Sequence, residues 1–188
     1  DYIQELAQEI IDDSGEEYLA AAQREELDYF SEYAYENLLA DIKDDLHNFG
    51  IEFDNWFSER KLHPEGIEAA VESLQEKDLI YEQEGALWFK SSQFGDDKDR
   101  VVIKDDGTPT YLAADIAYHR TKFDRGFEEV INVWGADHHG YVDRMKAVVE
   151  ALGYGPEALT IILVQMVSLL RDGEEVSMSK RAGEFVKL

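Results

Sequence analysis

Val130-Ile131-Asn132-Val133-Trp134-Gly135-Ala136-Asp137-His138-His139-Gly140 is the stretch on which the fold turns. Val130 to Trp134 is an apolar run of strand length, largely β-branched and aromatic, and Gly135 interrupts it. A helical pattern follows from about His139 to Leu152, and a second apolar strand runs from Thr160 to Val167. Upstream, a helix predicted from about Pro109 to Phe123 leads into the first of these strands. Strands alternating with helices of this length imply βαβ units and a parallel sheet, so the second half of the chain is α/β. Asp172-Gly173 then predicts a tight turn ahead of Val176-Ser177-Met178-Ser179-Lys180.

Toward the amino end the rhythm differs, and the boundary falls near residue 90. Residues 1 to about 48 are acidic and helical in period. Ile3, Leu6 and Ile10 share one face, and Leu27, Phe30, Ala34, Leu38, Ile42 and Leu46 recur at spacings of three or four. This predicts a helical hairpin broken near Asp12-Asp13-Ser14-Gly15 and closed at His47-Asn48-Phe49-Gly50, with a short extended piece around Phe53 and Trp56. Pro64 suits a first helical position, and Ile67, Ala70, Val71 and Leu74 form the stripe behind it. Short strands are predicted at Leu79 to Tyr81, Ala86 to Lys90 and Val101 to Ile103, with turns at Glu84-Gly85 and Asp105-Asp106-Gly107. Residues 1–90 therefore form a helical and small α+β region, and 91–188 the α/β region.

Composition bounds the function. A hydrophobic content of 44% in 188 residues is enough for a real core. With 42 acidic against 18 basic residues the formal charge is −24, which provides no general basic footprint for a nucleic-acid backbone. Cysteine is absent, which excludes disulfides and thiolate metal sites and fits a reducing, cytoplasmic setting. No apolar run reaches the length of a membrane span. Neither end carries a typical start or stop signal, and the chain is expected to be a piece of a longer protein.

Four clusters can carry chemistry. Ser177-Met178-Ser179-Lys180-Arg181-Ala182-Gly183 is a small-residue loop with adjacent cations after a βαβ region, able to bring charge onto a polyphosphate; its bland alternative is a solvated basic turn. In Thr110-Tyr111-Leu112-Ala113-Ala114-Asp115, Tyr111 and Asp115 are four apart on one helical face. A carboxylate beside an aromatic suits a guanidinium, although Tyr111 can equally be core and Asp115 one more surface acid. Gly135, Asp137, His138 and His139 lie where ligands of open α/β sheets bind, at a strand's carboxyl end. As a metal site the adjacent histidines point too far apart on a helix, and an Asp cap is the plain alternative. Val164-Gln165-Met166-Val167 ends a strand, and its ordinary meaning is buried core.

Together these motifs resemble class I aminoacyl-tRNA synthetases, and specifically arginyl-tRNA synthetases. Met178, Ser179 and Lys180 match the Lys-Met-Ser-Lys-Ser signature, with Ser177 in place of its first Lys and Arg181 in place of its last Ser. Thr110 to His119 is similar to the segment whose Tyr and Asp hold the arginine side chain. The resemblance implies a Rossmann-like parallel sheet. It implies arginine binding by Tyr111, Asp115 and His138, and ATP binding by Gly135, Asp137, Met166, Val167, Met178 and Lys180. It also implies transition-state work by Lys180 with Ser179. ATP is the expected substrate, Mg²⁺ its counter-ion, and arginine and tRNA(Arg) the partners of a monomeric, membrane-free enzyme. Phe53 to Glu59 resembles a family segment to which no catalytic part is assigned. The family's His-x-Gly-His motif is missing from the 188 residues, as is its anticodon-binding domain, so the piece alone is expected to be inactive.

Two other readings stay open. Asp137-His138-His139 reproduces the Asp-His-His motif of metallophosphoesterases, which would require two metal ions and further carboxylates at other strand ends. A noncatalytic binding module derived from a synthetase is the third.

Overall fold

The computed structural model describes residues 2–23 and 27–176. The chain divides into two compact units, residues 1–57 and 58–188. The boundary expected near residue 90 falls inside the second unit.

The first unit is helical: α1 (Tyr2–Ser14), α2 (Leu19–Gln23) and α3 (Asp28–Asn48). Gly15, at φ +59°, ends α1 where the sequence predicts the break. Ile10 is buried, but Ile3 and Ile42 are each half exposed and no residue of α3 is buried. Aromatic contacts take the place of a deep core. Tyr18 stacks on Tyr29 at 3.7 Å between centroids, and the Lys43 ammonium lies 5.2 Å from the Trp56 ring. The extended piece expected around Phe53 forms no strand, since no strand among the described residues pairs with it. In sequence this unit has 17 acidic and 2 basic residues.

The second unit begins with a short 3₁₀ turn, Glu59–Leu62, and α4 (Glu65–Gln75), whose predicted stripe Ile67, Ala70, Val71 and Leu74 is entirely buried. Three antiparallel strands follow, β1 (Ile80–Gln83), β2 (Ala86–Phe89) and β3 (Arg100–Ile103). Then come α5 (Tyr111–Asp124), β4 (Val130–Gly135), α6 (Val142–Leu152) and β5 (Leu159–Val164). β4 and β5 pair in parallel from Val130–Leu159 to Gly135–Val164, confirming the predicted βαβ unit. A small hairpin of β6 (Leu170–Arg171) and β7 (Glu174–Glu175) turns at Asp172-Gly173 as predicted. The fold is thus α/β, with a parallel pair flanked by helices and a small antiparallel sheet.

Its core is continuous. Leu74 of α4, Phe89 of β2, Val102 of β3, Ile116 of α5 and Met145 and Val148 of α6 are all fully buried. Polar ties fix the helices over this core. Arg120 of α5 donates to the Ala69 carbonyl of α4 at 2.6 Å. Lys77, just past α4, donates to the Ala151 and Leu152 carbonyls at 3.0 and 2.8 Å, supplying a cation to the end of α6 where carbonyls are otherwise unpaired. Gly153 at φ +106° then turns the chain out of that helix.

Two boundaries differ from the sequence reading. The chain after β4 first forms a 3₁₀ turn, Ala136–Tyr141, and α6 begins only at Val142. Gly140, a poor helix former, lies inside that turn. β5 stops at Val164 because β4, its partner, stops at Gly135; Met166 and Val167 lie beyond the strand and are 83% and 79% exposed.

Candidate functional site

The first turns of α5 and the turn after β4 bring Asp115 within interaction range of Tyr141 and His138. Thr110, in extended conformation and with its hydroxyl donating to the Val101 carbonyl, precedes α5 and sets Tyr111 at the first helical position. Tyr111 is 88% exposed, which removes the core reading for it. One turn later, Asp115 is half-buried and hydrogen-bonded, which removes the surface-acid reading. Burial raises the Asp115 carboxyl above its ordinary range, and the nearby Glu59 carboxylate pushes it the same way. The hydrogen bond from Tyr141, with the charges of Lys122 and His138, opposes them.

Tyr111 overhangs a cleft of about 460 Å³ lined by Glu59, His63, Lys104, Pro109, Thr110 and Ala114. A second, of about 260 Å³, lies on its other side against Arg100, Tyr141 and Arg144. Glu59, whose carboxylate acts on the charge of Asp115, thus lies in the first cleft beside the exposed Tyr111 ring, with Lys104 as a basic side chain of the same lining.

Glu59 was given no part by the sequence. It is 56 positions from Asp115, and no periodicity links the two. Tyr141 was missed as well, because an aromatic near a helix start reads as packing. Its hydroxyl donates to Asp115 Oδ2 at 2.9 Å.

At the end of β4, Gly135 has an ordinary extended backbone, φ −65° and ψ 150°. What its missing side chain leaves is room: the Asp137 carboxylate folds back over it and a Cβ there would collide with Asp137 Oδ1. His138 and Asp137 lie 3.7 Å apart with both side chains well exposed, and the His138 ring is 6.2 Å from Trp134. His139 is engaged with the Ala136 carbonyl at 3.3 Å. Neighbouring positions of a 3₁₀ turn diverge by about 120°, so the two histidines do not converge. Among the described residues no group of three His, Asp or Glu side chains is placed to hold a metal ion. Met178, Ser179 and Lys180 lie outside the described residues.

Beneath the site a buried polar chain locks α5 to β4. His119 is 3% exposed; its Nδ1 lies 2.8 Å from the Asp115 carbonyl and its Nε2 2.9 Å from Asn132 Nδ2. Lys122 donates to Asn132 Oδ1 at 3.0 Å, which turns the Asn132 amide toward His119. Nε2 therefore accepts, Nδ1 donates, and the ring is neutral. Burial, with the Lys122 charge, lowers the His119 pKa from 6.5 to about 4. Burial likewise lowers that of Lys122 to about 8.

A pH dependence follows. Unfolded His119 takes up a proton below 6.5, whereas folded His119 does so only near 4. Its contribution to stability is complete above 6.5 and is lost as pH falls from there toward 4. Urea midpoints measured across that window should decline, and a His119→Gln variant should decline less steeply.

No helix of the described residues is long and apolar enough to cross a membrane. A family model described as class I (R) tRNA synthetases, catalytic domain, matches residues 4–188. The arginine–tRNA ligase of Geobacter sp. (strain M21) is 54% identical over 189 residues, covering 100% of this chain and 34% of the relative. That of Bacillus licheniformis is 50% identical over 187 residues, covering 99% and 34%. The chain thus spans about a third of the length of these relatives. A crystal structure assigned as an arginyl-tRNA synthetase of Campylobacter jejuni superposes with a TM-score of 0.87 at 48% identity, covering 95% of this chain and 39% of that one. The Thermus thermophilus arginyl-tRNA synthetase shares the fold, with a TM-score of 0.59 at 22% identity over 86% of this chain and 34% of that one. The motifs, the parallel pair and the matches across almost the whole length converge: this chain belongs to the class I arginyl-tRNA synthetase family and lies within its catalytic domain.

Proposed function

We propose that the chain supplies the arginine-selecting part of an enzyme that activates arginine with ATP and transfers it to tRNA(Arg). The observation that carries this reading is the half-buried Asp115 carboxylate beside the exposed Tyr111, with Glu59 near enough to act on its charge. A guanidinium offers planar donors and a full charge to such a site, and neutral analogues would leave it unpaired. Tyr111, Asp115 and His138 take the arginine; Glu59 joins them as a second carboxylate. Gly135, Asp137, Met166 and Val167 meet ATP, with Met178 and Lys180. The exposure of Met166 and Val167 past β5 favours contact with a flat base over burial in the core.

In the reaction an arginine carboxylate oxygen attacks the α-phosphorus, the bond to pyrophosphate breaks, and Lys180 with Ser179 stabilises the departing charge. The adenylate then passes its arginyl group to the terminal adenosine of the tRNA. Positioning and charge account for most of the rate. No described side-chain cluster fits a metal, so Mg²⁺ is assigned to the triphosphate as its counter-ion and no step is routed through it. Residues 1–90 serve as the helical and α+β inserted region and 91–188 as the second half of the catalytic domain of a monomeric cytoplasmic enzyme. The 188 residues contain no His-x-Gly-His, so the segment alone is inactive.

The test is aminoacylation by the full-length protein with ATP, Mg²⁺, tRNA and each amino acid in turn. Formation of arginyl-tRNA alone is expected; absence of any charged product overturns the reading.

A further inference from the structure

We infer that Tyr141 is a positioning residue, whose hydroxyl holds the Asp115 carboxylate in the orientation that receives the guanidinium. This rests on the assignment of Asp115 to arginine.

The geometry is specific. Tyr141 is the last residue of the strand-end turn Ala136–Tyr141, and its hydroxyl lies 2.9 Å from Asp115 Oδ2. A phenol donates one hydrogen bond and carries no charge. It can therefore fix one carboxylate oxygen and leave the negative charge and the other oxygen to a ligand, which a lysine or arginine in its place would neutralise. Lys122, the α5 cation whose charge acts on Asp115, is directed elsewhere: its Nζ is bonded to Asn132 Oδ1 and lies 4.3 Å from the Tyr118 ring.

The tyrosine is itself held. The Arg144 guanidinium covers its ring at 4.5 Å, and Trp134 meets it edge-on at 6.1 Å. Arg144 is 20% exposed and approaches Asp96 Oδ2 at 3.6 Å, while its buried Nε makes no hydrogen bond among the described residues. Asp96 is in turn gripped by Arg100 at 2.8 and 2.9 Å. A rigid chain thus runs from the loop before β3, through α6, to the carboxylate on α5, so the hydroxyl is fixed before any ligand arrives. Such preorganisation is what a site needs to bind without reordering its own groups.

The charged and titratable groups acting on Asp115 are Tyr141, Glu59, Lys122 and His138. Of these, Tyr141 is the one that hydrogen-bonds its side chain and so favours ionisation by contact. Without that bond the carboxyl takes up a proton at higher pH, and arginine binding, which requires the carboxylate, fades at higher pH on the acid side.

The experiment is calorimetric titration of the full-length protein and its Tyr141→Phe variant with arginine and separately with ATP, over a range of pH. Arginine affinity is expected to fall about tenfold in the variant, ATP affinity to stay the same, and the acid limb of the arginine profile to move to higher pH. Unchanged arginine affinity and an unmoved acid limb overturn the proposal, as does an equal loss for both ligands, which marks a merely structural residue. Asp115→Asn is run beside them. If the unmodified protein fails to bind arginine, or Asp115→Asn binds it equally well, the arginine-site assignment fails first. If both behave as assigned and only Tyr141→Phe is silent, the positioning role alone fails.

Discussion

Replacing Asp115 with Asn in the full-length protein should lower kcat/KM for arginine in tRNA charging by roughly a hundred- to a thousandfold. The amide has nearly the same shape, so packing around α5 survives and the loss reports on charge. Asn presents an NH₂ to a guanidinium that itself has only donors, and a half-buried cation then lacks its counter-charge. Removing one partner of such a pair costs about 3–5 kcal/mol, and each 1.4 kcal/mol is a factor of ten. Glu59 softens the loss, because a second carboxylate still acts at the site. A variant that charges arginine within a few-fold of the unmodified protein would remove Asp115 from the binding site.

A loss of stability as large as that of a buried apolar truncation is expected at Asp96, a polar position. Its side chain is 4% exposed and receives a bidentate pair of bonds from Arg100, whose side chain is 17% exposed, with Arg144 close by. Ala in its place leaves two largely buried guanidiniums without their shared carboxylate, although the exposed Asp97 still contacts Arg100. Destabilisation of about 3–5 kcal/mol is expected by urea denaturation. Burial works against the Asp96 charge, but hydrogen bonds led by those from Arg100 outweigh it and hold the carboxyl well below its ordinary 3.8. The sign follows: this stabilisation is complete above 3.8 and is lost as pH falls below it, so Asp96→Ala should flatten the acid limb of the stability profile. A variant with an unchanged urea midpoint would show the cluster to be energetically idle.

Where periodicity alone decides an element, sequence and structure agree. The α4 stripe, the alternation of helix and strand through α5, β4, α6 and β5, and the turns at Gly15, Glu84-Gly85 and Asp172-Gly173 all lie where local patterns put them. The failures are non-local. β5 ends where its partner ends, which the apolar run to Val167 does not reveal. Residues 51–57 have strand-like composition, yet no strand among the described residues pairs with them. At the site, Tyr111 and Asp115 are legible because i and i+4 share a helical face. Glu59 and Tyr141 reach Asp115 only through the tertiary fold, across 56 and 26 positions, and no spacing rule links such distances. Exposure also separates alternatives that sequence leaves open, setting Tyr111 outside the core and Asp115 partly inside it.

The first unit concentrates the chain's charge, with 17 carboxylates against 2 cations over 57 residues and few buried side chains to oppose their repulsion. Such repulsion is screened within about 10 Å at 0.1 M salt. Added salt therefore relieves this unit and favours its compact form, while also lowering the barrier to any polyanion that approaches it. A surface that binds nucleic acid through lysine and arginine behaves oppositely, losing affinity steeply as salt rises.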